Sequence, residues 1–209
     1  MSRILYIKAS PMKGLSFSIA AADAFLEKYL QLNPDTQLET IELFSEPLPE
    51  FDFTTASAKY KIMHGKPHSE QEKQRWDKVV EIIENFKFAD KYILAVPMWN
   101  FSIPYKLKHY LDILIQPSLT FTTDEQGNYK PLIPDKPVFI AYARGGEYKD
   151  EPAKNLDMQK PYLELALNFI GLKNIKSVTI EPTLAGGAET AENKKSLAIE
   201  QAHKIAENF

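Results

Sequence analysis

Apolar positions along this chain alternate between two rhythms. Residues 4–7 form a short continuous apolar run, the pattern of a strand buried on both faces. Ile19, Ala22, Phe25, Leu26, Tyr29 and Leu30 then recur at helical spacing, which predicts one face of a helix closed by Asn33, Pro34 and Asp35. Residues 38–43 alternate apolar and polar and predict a second strand nearer a sheet edge. The segment 45–67, with Pro47, Pro49 and Pro67, has no clean period and is either a functional excursion or partly helical. Ser69 and Glu72 make a capping-box pattern that opens a helix with Trp76, Val79, Ile83 and Phe86 inward.

The same rhythm continues to the end of the chain. A strand over 91–96 stops at Pro97, and Pro104 is expected as the first residue of a helix to about residue 115, with Leu107, Leu111 and Leu114 facing inward. β-formers flanking Gln126, Gly127 and Asn128 predict a hairpin or lobe over 120–133. A strand over 138–142, a helix over 157–170 ended by Gly171, a strand over 175–180 and a helix over 190–208 complete the pattern. Five strands alternating with about five helices imply an α/β fold with a parallel sheet covered on both faces. The leading candidate is a doubly wound sheet of order 2-1-3-4-5. Nothing splits the pattern, so residues 1–209 read as a single domain.

Composition narrows the classes of function. A chain of 209 residues buries roughly 70% of its unfolded surface and needs no staple. The hydrophobic fraction of 44% and charged fraction of 25% exclude disorder for most of the chain. There is no cysteine, which excludes disulfides, thiolate metal sites and a Cys nucleophile. A net charge of −3 without a basic stripe argues against a nucleic-acid partner. No apolar stretch approaches the ~20 residues that span a bilayer, and the short apolar run after Met1 lacks a cleavage signal, so a cytoplasmic protein is expected.

In a doubly wound sheet, ligands bind beyond the carboxyl ends of the strands. After the first strand come Ser10, Gly14, Ser16, Phe17 and Ser18, just before a helix N-terminus and with no Asp or Glu over 8–22. That is an anion site, or Ser16 or Ser18 merely caps the helix. Neither a Walker loop nor the dinucleotide fingerprint is present, so a mononucleotide phosphate fits better than a triphosphate or pyrophosphate. After the third strand, Met98, Trp99, Asn100 and Phe101 suit a planar heteroaromatic ring or form an aromatic plug. After the fourth, Ala143, Arg144, Gly145 and Gly146 either let backbone approach a ligand, with Arg144 near an electron-rich ring or paired with an acid, or make a plain tight turn. His64, His68, His109 and His203 form no metal pattern, because Pro67 interrupts the helix that would align the first two.

Ser10 with Ser16, Phe17 and Ser18, then Pro97 to Phe101, then Arg144, Gly145 and Gly146, together resemble the FMN-dependent NADH-azoreductases, also described as FMN-dependent NADH:quinone oxidoreductases. The resemblance covers essentially the whole chain. It implies a flavodoxin-like fold, one FMN per subunit, NADH or NADPH as electron donor, and a homodimer with active sites at the interface. It places Ser10, Ser16, Phe17 and Ser18 at the FMN phosphate, Met98 to Phe101 against the isoalloxazine, and Ala143 to Gly146 beside its pyrimidine end. Tyr148 is expected in the substrate pocket, Phe121 and Phe169 either wall that pocket or pack in the core, and Arg144 is expected as a stabiliser of charge on the reduced ring. Ala143 stands where the family often has Ser, and Tyr148 at a position that can carry His.

The expected reaction is two-electron, ping-pong transfer from NAD(P)H to a quinone or azo compound, with the flavin carrying the chemistry. The competing reading is a flavodoxin-like one-electron carrier. Such carriers are shorter and strongly acidic, whereas the segments 45–67 and 118–133 suit a covered pocket and a dimer interface.

Overall fold

Ile4, Leu5, Tyr6 and Ile7 have no solvent-facing side, and they form the buried centre of β1 (Arg3–Lys8). The same holds for β3 (Lys91–Pro97), and β6 (Val138–Ala143) is buried at every position. β2 (Gln37–Glu42) alternates, as an edge strand must, and β7 (Ile175–Ile180) is partly buried. These five strands pair in parallel in the order β2-β1-β3-β6-β7. That is the expected 2-1-3-4-5 order once the two short strands β4 (Phe121–Thr123) and β5 (Tyr129–Pro131) are counted along the chain. The computed structural model describes residues 2–209.

Two apolar layers cover the sheet. Ile4, Tyr6, Ile93, Phe139 and Val178 face α1 (Phe17–Leu32) and α6 (Gly187–Ala206), where Phe25 stacks on Phe139 at 3.9 Å. Leu5, Ile7, Leu94, Ile140 and Tyr142 face the layer of α3 (Glu70–Phe88), α4 (Tyr105–Leu114) and α5 (Lys160–Ile170). The helix following β1 lies on one face and the helix following β3 on the other. Between those strands the winding reverses, and the crevice this opens at their carboxyl ends is where such sheets bind ligands.

Several boundaries move for local reasons. Within 45–67, Asp52 caps α2 (Phe53–Met63) by accepting from Thr55 N at 2.9 Å, so the described residues hold six α-helices rather than about five. Pro104 caps α4 instead of being its first residue. α5 begins at Lys160 rather than 157, because Asp157 Oδ1 accepts from Gln159 N and Lys160 N (3.0 and 3.1 Å) and holds the chain in a turn. The closing helix starts earlier than expected, at Gly187, and ends at Ala206. The hairpin over 120–133 forms as β4 and β5, its turn tied by Asp124 Oδ1 to Gln126 N and Asn128 N. Gly171 ends α5 at φ +119°, where a Cβ would lie 2.0 Å from Ile133 O, so no other residue fits without backbone movement.

Candidate functional site

β1, β3 and β6 are adjacent and parallel, so the three singled-out loops leave one end of the sheet side by side. Hydrogen bonds carry the ladder past the strand ends. Ala9 N donates to Ala95 O (2.9 Å), Met98 N to Ala143 O (2.7 Å) and Arg144 N to Ile180 O (3.0 Å). The sheet register therefore sets the spacing of the loop roots.

In the first loop, Ser16 caps α1 by accepting from Ile19 N (3.4 Å), and its hydroxyl lies 3.1 Å from that of Ser18. Ser10 Oγ accepts from Met12 N at 3.3 Å. The capping role of Ser16 leaves the N–H groups of Phe17 and Ser18 without an acceptor among the described residues, the condition of a helix N-terminus that can receive an anion. The absence of acids over 8–22 does not carry into space. Asp23 accepts from Tyr6 OH (2.8 Å) and pairs with Lys8 (3.4 Å), and with Glu42 it lines a ≈ 200 Å³ cavity shared by Ser10, Lys13 and Gly14. Burial and the neighbouring Asp23 push the Tyr6 hydroxyl well above its ordinary pKa, so it stays a donor.

The second loop is a two-residue turn. Trp99 and Ser102 exchange both backbone hydrogen bonds (2.9 and 3.0 Å), and Asn100 and Phe101 between them have φ of 47° and 70°. Two left-handed residues make the mirror-image turn that tight hairpins need, a position natural for Asn but costly for Phe. The turn leaves the Asn100 and Phe101 N–H groups unpaired among the described residues and holds both aromatic rings partly in solvent, Trp99 at 37% and Phe101 at 48% exposure. Trp99 leans on Phe44 (5.4 Å) and Tyr105 (6.2 Å). Trp99, Asn100, Tyr105, Lys108 and Tyr162 line a ≈ 420 Å³ cleft beside it.

The third loop resolves the two readings of Arg144 in geometric terms. Its guanidinium is 4% exposed, pairs with Asp157 (2.8 Å) and Glu181 (3.2 Å), and donates through Nε to Gln159 Oε1 (2.9 Å). It is a buried tie between β6, the start of α5 and the end of β7, with its donors engaged rather than free for a ligand. Gly145 and Gly146 keep their N–H groups unpaired among the described residues, while their carbonyl side is fixed by Leu184 N and Ala185 N on Gly145 O, both at 3.0 Å. Ala143 is buried and brings no side-chain donor. The Tyr148 ring lies against Gly146 and meets Phe101 edge-on at 6.4 Å, so this residue joins the site.

Phe121 and Phe169 do not. They pack on each other (4.8 Å) and on Tyr129 at the far end of α5, a helix about 16 Å long whose last residues bond Ile133 near the strand starts. Within one chain the expected pocket walls lie at the opposite end of the sheet from the loops. What sequence reasoning missed is Phe44 and the run Asp157, Met158, Gln159, which grips the second and third loops from below. Its only signal was an Asp and a Gln just before a helical Pro161. A cavity of ≈ 520 Å³ beside β2 and α3 lies away from the three loops and shares none of their residues. Among the described residues no cluster of His, Asp and Glu can hold a metal, and no helix is long and apolar enough to cross a membrane.

Residues 2–206 match the family described as having a flavodoxin-like fold. The chain is 48% identical to an FMN-dependent NADH:quinone oxidoreductase of Nitratidesulfovibrio vulgaris over 100% of both chains. It is 44% identical to one of Desulfotalea psychrophila, over 99% of this chain and 96% of that one. Among solved structures it superposes on an azoreductase from Bacillus anthracis str. Sterne with a TM-score of 0.92, at 28% identity and with 100% of both chains covered. It also matches an FMN-dependent NADH-azoreductase from Bacillus anthracis str. Ames Ancestor in complex with FMN, with a TM-score of 0.87 at 29% identity, over 99% of this chain and 100% of that one.

Proposed function

The chain belongs to the flavodoxin-like fold family of the FMN-dependent NADH:quinone oxidoreductases, and on that premise we propose that it is itself a cytoplasmic enzyme of this class, one FMN-binding domain that works as a homodimer. One observation carries the site assignment. Among the described residues, six N–H groups, of Phe17 and Ser18 at the start of α1 and of Asn100, Phe101, Gly145 and Gly146 in the loops after β3 and β6, stand unpaired. Unpaired backbone donors are costly away from water, and grouped in this way they match a ligand with an anionic end and a heteroaromatic edge.

The residues present fit FMN. The α1 N-terminus with Ser10, Ser16 and Ser18 takes the phosphate, favoured by the helix dipole. Met98, Trp99, Asn100 and Phe101 hold the ring, and Ala143 to Gly146 lie along its pyrimidine edge. Held there, FMN would supply two-electron transfer from NADH or NADPH to a quinone or azo compound in a ping-pong order. The Gly145 and Gly146 N–H groups supply fixed dipoles where negative charge develops, the task first assigned to the Arg144 side chain. The aromatic rings of Trp99, Phe101 and Tyr148 shape an apolar mouth that accepts flat substrates and excludes water. Sites at a dimer interface would let Phe121 and Phe169 of a second copy approach the pocket. The apolar surface of Trp99, Phe101, Tyr105 and Met158 around the mouth supports such an interface.

The test is the visible spectrum of purified protein with added FMN, then anaerobic titration with NADH and initial rates against a quinone. Flavin bound at one per chain, bleaching by one equivalent of NADH and parallel double-reciprocal lines are expected. Absence of FMN binding overturns the reading. Negligible reduction by NADH, with reduction by dithionite in two separable one-electron stages, replaces it with the electron carrier.

A further inference from the structure

Beneath the second and third loops lies a side chain that this chemistry leaves without a role. Gln159 is 0% exposed at the cap of α5. Both ends of its amide are used. Nε2 donates to Val96 O at the end of β3 (3.0 Å), and Oε1 accepts from Arg144 Nε (2.9 Å). Its neighbours extend the grip, with Met158 N donating to Phe101 O (2.9 Å), Ser102 Oγ donating to Met158 O (3.4 Å) and Asp157 holding Arg144 Nη2 (2.8 Å). A neutral amide is what the place requires, because it must donate to a carbonyl on one side and accept from a cation on the other. Glutamate would accept from Arg144 but set a carboxylate against Val96 O. Leucine would fill the volume but take the acceptor from Arg144 Nε and this donor from Val96 O in a buried site.

We propose that Gln159 is a positioning residue for the ring end of the flavin site, its amide bridge, with the Met158 N to Phe101 O bond beside it, bracing the 98–101 and 143–146 loops above roots whose spacing the sheet register sets. The inference deepens the oxidoreductase reading and rests on it. The phosphate end has separate anchors on β1 and α1, which Gln159 does not touch, so loss of the bridge loosens one end of the site and spares the other.

The test compares FMN with riboflavin, which keeps the ring and lacks the phosphate, by fluorescence titration of the apoprotein. The proteins are wild type, Gln159→Leu, Gln159→Glu and Leu163→Ala, the last opening a cavity in the same helix at a buried position one turn from Gln159 and outside both loops. Thermal midpoints and the midpoint potential of bound FMN are read alongside. Gln159→Leu is expected to weaken FMN and riboflavin by the same factor of about ten, the scale of one lost buried hydrogen bond, and to shift the potential. Leu163→Ala, at comparable loss of thermal stability, leaves both affinities and the potential unchanged. Should Gln159→Leu fail to fold, Gln159→Glu carries the same expectation. Flavin affinity that follows thermal stability in every variant, or wild-type riboflavin affinity in Gln159→Leu and Gln159→Glu, overturns the proposal while wild-type FMN binding keeps the enzyme reading intact. A wild type that binds no FMN removes both.

Discussion

Arg144 shows how much a residue's meaning depends on its surroundings. In the sequence it stands beside two glycines and offers a cation to any nearby ring. In the fold its guanidinium is held by Asp157, Glu181 and Gln159. Removing the cation strands two carboxylates in a region of low solvent access, which costs about 3–5 kcal/mol. Arg144→Met is therefore expected to lower the urea midpoint of the apoprotein strongly, whereas a cation serving only a ligand would leave the apoprotein unchanged. Phe101 gives the reverse case, a residue whose backbone cost serves its side chain. At φ 70° it sits where glycine is at ease, so Phe101→Gly is expected to be more stable than Phe101→Ala by about 1 kcal/mol in urea unfolding, while both lose affinity for a flat aromatic ligand.

Among the elements, those with a clean period were legible and those held by tertiary polar contacts were not. The capping box at Ser69 and Glu72 is present as read, with Ser69 N donating to Glu72 Oε2 at 2.8 Å. The sequence could not show that the same carboxylate also accepts from Ser57 (2.9 Å) and Lys61 (2.7 Å), docking α2 onto α3. Those bonds, Lys61 foremost, lower the Glu72 pKa from 4.5 to about 2. A lowered acid contributes stability above its unfolded value and loses it as pH falls through its folded value. The docking contribution of Glu72 is thus complete above pH 4.5 and fades toward pH 2. Glu72→Gln is expected to speed amide exchange in α2 at neutral pH, with the gap to wild type closing as pH approaches 2. A gap independent of pH would assign the effect to packing alone. The late start of α5 has the same origin, since no period in the sequence reports that Asp157 spends its carboxylate on the turn before the helix.

At the scale of the whole molecule, the parallel sheet and the choice of loops followed from the alternation of apolar runs and helical faces, while the order 2-1-3-4-5 was one candidate among the few that connection rules permit. The relation between the two ends of the sheet did not follow. Phe121 and Phe169 read as pocket walls yet pack far from the loops, a distance set by the length of α5. In the proposed dimer those of a second copy would approach the site, and Tyr105, 63% exposed beside Trp99, lies on the surface that would be covered. Tyr105→Glu is expected to shift sedimentation from dimer to monomer and to lower turnover at least about tenfold, while Leu197→Glu, exposed on α6 across the sheet, changes neither. The buried tie of Arg144 also has a consequence for how the protein is made. Its partners arrive late, at Asp157, Gln159 and finally Glu181, so a chain emerging from the ribosome carries the proposed phosphate loop long before the 98–101 and 143–146 loops can lock. In the proposed site, cofactor capture would then wait for release of the finished chain, and a stalled or truncated product lacking β7 would leave the ribosome colourless.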